Sequence, residues 1–221
     1  MSGFSTARQK MVDGQVRPSD VTDARILDAM LLVPREAFVP ADKQALAYLD
    51  LDLDVAEGGA AKRCLIAPAL FAKLLQAAEV KDGDRVLVVG CATGYAAAVI
   101  ARLTPHVVAS ESDSALAAKA ATVLAQQGCG QVSVKTAAAA DGDAASAPFD
   151  VIVLNGATEV APKALYEQLK DGGRLVGVFA TSRPARATIV TCSHSDFGHR
   201  TLFDAAAPVL PGLELVPAFV F

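Results

Sequence analysis

The sequence predicts an α/β fold in which a mostly parallel sheet is covered by helices on both faces. Two short, unbroken apolar runs, 86–89 and 151–154, have the composition of central strands that are buried on both sides; the second run follows Asp150 in a strand predicted over 149–154. Helical segments alternate with these strands, as in folds built from successive strand–helix–strand units. After residue 180 strands follow one another without helices, which predicts antiparallel strands at one edge of the sheet.

The composition limits the class of protein. At 221 residues and 52% hydrophobic, the chain has room for one domain with a substantial core. The net charge of −4 argues against a nucleic-acid partner, which favours a basic surface. No apolar run reaches the length of a membrane span, residues 1–10 lack the apolar core of a signal peptide, and the cysteines are scattered. We therefore expect a cytoplasmic protein that binds neither nucleic acid nor a membrane.

The N-terminal third is predicted to be mainly helical. Thr22 or Asp23 can cap a helix with apolar side chains at helical spacing, and Pro34 ends it. Residues 48–55 alternate between apolar side chains and aspartates, which predicts a half-buried strand with its carboxylates facing water.

From Pro68 onward, helices and strands are predicted to alternate. The predicted elements are helices over 69–79, from Tyr95, over 115–127 and over 162–169, strands over 86–89, 106–110, 132–135, 149–154 and 174–179, and C-terminal strands over 187–193, from Arg200 and over 218–221. The glycine pair 172–173 is expected to end the last helix.

Residues 84–95, D-R-V-L-V-V-G-C-A-T-G-Y, are the candidate ligand-binding corner. Gly90 and Gly94 permit backbone angles and close approaches that a side chain would forbid. Glu111 lies 21 positions after Gly90, at the end of the second strand, where a carboxylate binds the ribose hydroxyls of an adenosine-containing cofactor. Ala92 and Ala96 replace two glycines of the dinucleotide-binding fingerprint, whereas S-adenosylmethionine, which has no pyrophosphate, tolerates this turn.

Three stretches of the chain resemble protein-L-isoaspartate O-methyltransferases. They are M-V-D-G-Q-V-R-P-S-D-V-T-D-A-R-I-L-D-A-M-L-L-V-P-R-E-A-F-V-P (11–40), V-L-V-V-G-C-A-T-G-Y-A-A-A-V-I-A (86–101) and F-D-V-I-V-L-N-G-A (149–157) together with A-L-Y-E-Q-L-K-D-G-G-R-L-V-G-V (164–178). The resemblance covers about residues 8–180, and its N-terminal segment is the most specific part. It implies a class I methyltransferase (Rossmann-like) fold, S-adenosylmethionine as the methyl donor, S-adenosylhomocysteine as the product, and methylation of isoaspartyl carboxylates in damaged proteins.

The resemblance also implies an organisation and a set of site residues. A single domain is expected, with a helical extension and substrate loop over 1–79, a cofactor-binding core over 80–180 and C-terminal strands over 181–221. The implied cofactor-binding residues are Gly90, Cys91, Ala92, Thr93, Gly94, Tyr95, Glu111, Ser112, Ala138 and Asn155. No catalytic acid or base is assigned, because the acceptor carboxylate is already ionised at neutral pH. No metal is expected either, because the D-x-D-x-D run lacks the remaining ligands of a calcium loop.

Several positions depart from the family pattern. The family's substrate loop reads G-Q-T-I-S-Q-P, and this chain has R-C-L-I-A-P over 63–68, which leaves Arg63, Cys64 and Ile66 as its candidate substrate-loop residues. Val88 stands where the family has an acid, and residues 137–139 replace a G-D-G with alanines. Three alternatives stay open: a non-catalytic relative, a methyltransferase whose acceptor differs, for example a small molecule, and an oxidoreductase that uses a dinucleotide.

Overall fold

The computed structural model describes residues 3–56 and 62–216. The strands are β1 (Leu53–Asp54), β2 (Cys64–Leu65), β3 (Val86–Val89), β4 (Val107–Glu111), β5 (Ser133–Thr136), β6 (Phe149–Thr158), β7 (Leu169–Phe179), β8 (Arg186–Ser193) and β9 (Asp196–Asp204). The α-helices are α1 (Gly3–Met11), α2 (Ala24–Leu32), α3 (Pro68–Ala78), α4 (Tyr95–Ile100), α5 (Ser114–Gln126) and α6 (Lys163–Tyr166).

A seven-stranded sheet with the order β5-β4-β3-β6-β7-β8-β9 forms the centre, and β1 pairs separately with β2. The large sheet is parallel from β5 to β7 and antiparallel from β7 to β9. Val88 of β3 is level with Ala109 of β4 on one side and with Val153 of β6 on the other. The strand order thus reverses at β3, because β4 and β5 lie on one side of it and β6 and β7 on the other. Ligands of open α/β sheets bind at such a switch point, outside the carboxyl ends of the strands. The predicted mostly parallel sheet with antiparallel C-terminal strands is confirmed.

Apolar side chains cover both faces of the sheet. The larger buried cluster joins the N-terminal helices to the face of β3 that carries Val86 and Val88. The smaller cluster lies on the opposite face, where Leu87 and Val89 pack with residues of α6 and of the C-terminal segment. The N-terminal segment therefore shares the core of the sheet.

The strand predicted over 48–55 is wrong except at β1. Its aspartates lie beside the beginning of α3, where Asp52 Oδ1 accepts a hydrogen bond from the Ala67 N–H at 2.9 Å and Asp50 Oδ1 from the Ala69 N–H at 3.0 Å. Free N–H groups at a helix start require such acceptors. These carboxylates thus bind N–H groups at the start of α3 while Asp50 stays exposed and Asp52 is half-buried, and burial raises the pKa of Asp52.

The helix predicted over 162–169 is shorter than expected. α6 ends at Tyr166, and Gly172 and Gly173 lie inside β7 instead of ending the helix. The Phe149 N–H donates to the Gln168 carbonyl at 2.8 Å, so the chain already pairs with β6 before it reaches the glycines.

The last strands also differ from the prediction. β9 begins at Asp196, before the predicted Arg200, because His194 and Ser195 both have positive φ and form a tight hairpin turn after β8. The strand predicted over 218–221 lies outside the described residues.

Candidate functional site

Left-handed backbone angles shape the turn after β3. Gly90, Ala92 and Gly94 have φ values of 70°, 51° and 99°, in the region that glycine adopts most readily. The Cys91 N–H donates to the Ser110 carbonyl at 2.9 Å, which attaches the turn to β4. The turn therefore has a fixed shape at the carboxyl edge of the sheet.

Glu111 ends β4 beside this turn and is 1% exposed. Its Oε2 accepts a hydrogen bond from the Ala92 N–H at 2.9 Å, and its Oε1 accepts one from the Asp113 N–H at 3.1 Å. The carboxylate thus lies at the glycine turn, where the sequence predicts the ribose-binding acid.

Asn155 of β6 joins the glycine turn to the substrate loop (residues 63–68). Its Nδ2 donates to the Gly90 carbonyl at 2.9 Å and to the Cys64 carbonyl at 3.2 Å. Asn155 is 4% exposed, so water does not compete strongly for these bonds. One side chain therefore sets the spacing between the turn and the loop.

Arg35 holds the other end of the substrate loop. This residue is 1% exposed, and its guanidinium donates to the Ile66 carbonyl at 3.0 Å and to the Ala47 carbonyl at 2.9 Å. The guanidinium carbon also lies 4.6 Å from the centroid of the Tyr95 ring, at the start of α4. The sequence did not predict this role of Arg35, which is mentioned above only as part of the stretch 11–40 that resembles the family.

The three substrate-loop candidates lie in different environments. Ile66 is 2% exposed and packs in the larger core cluster. Cys64 is also buried, and burial raises the pKa of its thiol to about 11, so the thiol is neutral at pH 7. Arg63 instead reaches the carboxyl edge of the sheet, with its Nε 2.9 Å from Glu111 Oε1 and its Nη2 2.9 Å from Ser112 Oγ. Only Arg63 of the three candidates brings its side chain to the predicted cofactor residues.

The other predicted cofactor residues fall into two groups. The side chains of one group are buried, and these residues are Cys91, Thr93 and Tyr95. Thr93 Oγ1 donates to the Phe38 carbonyl at 2.6 Å, so its side chain serves packing of the N-terminal segment. Ser112 and Ala138 are exposed at the edge of the sheet. A ligand at the turn would therefore meet backbone atoms of the first group and side chains of the second.

The donors and acceptors at this edge fit an adenosine-containing cofactor. Glu111 offers carboxylate oxygens to ribose hydroxyls, and the exposed Ser112 beside it offers a hydroxyl. Within residues 3–56 and 62–216, no group of three or more His, Cys, Asp or Glu side chains could hold a metal ion. No helix in that part of the chain is long and apolar enough to span a bilayer.

Residues 6–188 match the family model of protein-L-isoaspartate(D-aspartate) O-methyltransferase. The chain belongs to this family. A curated relative, the protein-L-isoaspartate O-methyltransferase of Koribacter versatilis (strain Ellin345), is 39% identical over 176 residues, which are 80% of this chain and 78% of the relative. The predicted family and enzyme class, an O-methyltransferase, are confirmed.

Solved structures support the same fold. A protein-L-isoaspartate O-methyltransferase structure matches with a TM-score of 0.82 and 24% identity, over 93% of this chain and 66% of that chain, slightly less than two-thirds of its length. A Plasmodium falciparum structure assigned to the same activity, in complex with S-adenosyl-L-homocysteine, matches with a TM-score of 0.78 and 17% identity, over 92% of this chain and 97% of that chain. The predicted class I methyltransferase fold is confirmed.

Two departures from the family pattern are accommodated by packing. Val88 is fully buried in the larger apolar cluster, and Ala139 is 4% exposed in the smaller one. Both side chains therefore pack as apolar members of the core, and neither carries a charge or a hydrogen-bonding group of its own.

Leu210, which the sequence does not single out, explains two glycines of the methyltransferase core. A Cβ on Gly90 would clash with Leu210 Cδ2, and a Cβ on Gly156 would lie 2.9 Å from the same atom. The C-terminal segment reaches this position because Val209 forms a parallel bridge with Ala157 of β6. The close approach predicted at Gly90 is thus made by the protein's own C-terminal segment.

Proposed function

We propose that the protein transfers the methyl group of S-adenosylmethionine to the free carboxylate of an isoaspartyl residue in a protein or peptide. The observation that carries the proposal is the bridge formed by Asn155. This side chain connects Gly90 of the proposed cofactor turn to Cys64 of the substrate loop. Family membership supplies the activity, and the bridge supports a site in which donor and acceptor meet.

The residues proposed for the cofactor act through hydrogen bonding and shape. Glu111 accepts hydrogen bonds from the ribose hydroxyls, and the turn from Gly90 to Gly94 supports the rest of the molecule through its backbone. Ser112, Ala138 and Asn155 complete the proposed set. S-adenosylmethionine, when bound, supplies an activated methyl group on a sulfonium.

The reaction requires little acid–base chemistry from the protein. An acceptor carboxylate is ionised at pH 7, so an oxygen lone pair is available without a general base. The protein's contribution is to align that oxygen with the methyl carbon and to exclude water. The buried thiol of Cys91 takes no part, since burial, reinforced by the Glu111 charge, raises its pKa well above neutrality.

The chain is proposed to act as a single domain. Residues 1–79 carry the substrate loop, residues 80–180 bind the cofactor, and residues 181–221 complete the sheet. A cytoplasmic location and the exclusion of nucleic acid stay predictions.

A non-catalytic role is not favoured, because the chain is 39% identical to a curated methyltransferase over 80% of its length and because the replacements at Val88 and Ala139 are buried in the apolar core. A methyltransferase with a different acceptor is the remaining alternative, because the substrate loop differs from the family's at residues that would contact the acceptor. Arg63 and Ile66 stand where the family has a glutamine and a serine.

Methyl transfer to two peptides that differ only at one residue tests the proposal. Labelled S-adenosylmethionine is incubated with a peptide that contains isoaspartate or with the same peptide containing ordinary aspartate. We expect base-labile methyl esters on the isoaspartyl peptide alone. Equal labelling of both peptides, or binding of S-adenosylhomocysteine without any transfer, would contradict the proposed acceptor.

A further inference from the structure

Arg63 belongs to the substrate loop, but its guanidinium lies among the proposed cofactor residues. Its Nε donates to Glu111 Oε1 at 2.9 Å, and its Nη2 donates to Ser112 Oγ at 2.9 Å. The ion pair is buried, since the Arg63 side chain is 9% exposed and the Glu111 side chain 0%. A charge that leaves such a pair needs a new partner, because an uncompensated buried charge is costly.

Among residues 3–56 and 62–216, four donors already satisfy the Glu111 carboxylate. They are the Ala92 N–H at 2.9 Å, the Asp113 N–H at 3.1 Å, the Ser112 hydroxyl at 3.3 Å and Arg63 Nε at 2.9 Å. A carboxylate has about four lone-pair sites. Ribose hydroxyls that bind Glu111 must therefore replace one of these donors. The backbone donors are fixed by the turn and the start of α5, whereas Arg63 has a long, flexible side chain.

The same loop must also bind an acceptor carboxylate. A carboxylate that is removed from water needs a cation or several hydrogen-bond donors. Ile66 offers neither, and the Cys64 thiol is a weak donor. Arg63 carries a positive charge and a planar set of N–H groups that match a carboxylate.

We propose that Arg63 alternates between two carboxylates: that of Glu111, as in this structure, and that of the acceptor when the cofactor's ribose occupies Glu111. The inference rests on the proposed function, because it takes S-adenosylmethionine at Glu111 and a carboxylate as the acceptor. Arg63 is thus the residue that determines specificity for an anionic acceptor, and cofactor binding prepares it.

Calorimetric titration with S-adenosylhomocysteine tests the first half of the proposal. Arg63→Gln removes the competing guanidinium and restores the family's glutamine, so we expect affinity to rise about 3- to 10-fold. A merely structural role for Arg63 predicts the opposite sign. Arg17→Gln is the control, because it removes an exposed surface ion pair with Asp13 and should leave affinity unchanged.

Steady-state kinetics with an isoaspartyl peptide tests the second half. Arg63→Gln should raise the KM for the peptide by about 10-fold, with a smaller change in kcat, because a charge-assisted contact to the acceptor is lost. Arg63→Lys keeps the charge without the planar geometry and should be intermediate in both measurements.

The outcomes separate the inference from the proposed function. If the wild-type protein binds no S-adenosylhomocysteine, the proposed function fails, and the inference fails with it. If the wild type binds but Arg63→Gln binds equally or more weakly, the inference alone is overturned. If Arg63→Gln does not fold, Arg63→Lys decides: tighter binding than wild type supports the inference, and equal or weaker binding overturns it.

Discussion

Replacing Asn155 tests whether one side chain joins the two halves of the site. Asn155→Ala removes the hydrogen bonds from Nδ2 to the Gly90 carbonyl (2.9 Å) and to the Cys64 carbonyl (3.2 Å). Each carbonyl left without a partner costs roughly 1–2 kcal/mol, so we expect the free energy of unfolding to fall by about 2–4 kcal/mol. The substrate loop also loses its attachment to the turn, so affinity for S-adenosylhomocysteine should fall.

The assay is urea denaturation followed by circular dichroism, together with calorimetric titration of S-adenosylhomocysteine. Thr158→Val is the matched control on the same strand, because it removes two hydrogen bonds away from the turn: Thr158 Oγ1 donates to the Val160 carbonyl at 2.6 Å and accepts from the Val160 N–H at 3.3 Å. Both groups of Val160 are only partly buried, so water can replace the lost partner. This control should cost less stability and leave affinity unchanged. If Asn155→Ala kept the free energy of unfolding of the wild type and its affinity for S-adenosylhomocysteine, the reasoning would be refuted.

A second variant at this position adds a pH dependence. In Asn155→Asp the new carboxyl faces two carbonyl oxygens, which favour its protonated form and raise its pKa in the folded state. The folded state then binds a proton that the unfolded state releases near pH 4, so stability falls as the pH rises. We expect a larger loss relative to wild type at pH 8 than at pH 5, and an equal loss at both would contradict this.

Three further substitutions test other parts of the account. Asp23→Ala should lower the free energy of unfolding by about 1 kcal/mol, because Asp23 caps α2 through the Arg25 N–H at 2.9 Å. A hydrogen bond from the Arg25 side chain lowers the pKa of Asp23 in the folded state. This contribution to stability is therefore fully present above the unfolded-state pKa of about 3.9 and is lost as the pH falls through the lower folded-state pKa. A stability difference between Asp23→Ala and wild type that does not change with pH would contradict this. Gly90→Ala places a methyl group against Leu210 Cδ2 at a φ of 70°, so we expect a lower Tm that Leu210→Ala partly restores; strictly additive effects in the double-mutant cycle would exclude the clash. Val88→Asp restores the family acid but buries a carboxylate among apolar side chains, so it should cost several kcal/mol and not improve cofactor affinity, with uncharged Val88→Thr as the milder control; a stable variant with higher affinity would contradict this.

The sheet could be predicted from the sequence because its signals are local. The runs 86–89 and 151–154 are apolar on both faces, which a buried parallel strand requires. Gly90 and Gly94 mark a turn that needs positive φ, and Asp23 marks a helix start through its own side chain. Each of these features depends on neighbouring residues, so the pattern alone is sufficient.

The features that the sequence did not reveal depend on contacts between distant residues. The alternation over 48–55 resembles a strand, but its aspartates are needed as caps for α3, a partner that the local pattern cannot show. Arg35 and Leu210 are ordinary residues in sequence, and their importance appears only where they meet the substrate loop and Gly90. Arg63 was a candidate, but its pairing with Glu111 joins residues that are 48 positions apart.

The most direct test of the account is titration of S-adenosylhomocysteine into the wild-type protein and into Glu111→Gln. Glutamine keeps the size of the side chain but removes the charge that accepts hydrogen bonds at the end of β4. We expect the wild type to bind with a stoichiometry of one and Glu111→Gln to bind at least about 10-fold more weakly. Wild-type affinity in Glu111→Gln, or no binding to the wild-type protein, would contradict the placement of the cofactor at this corner of the sheet.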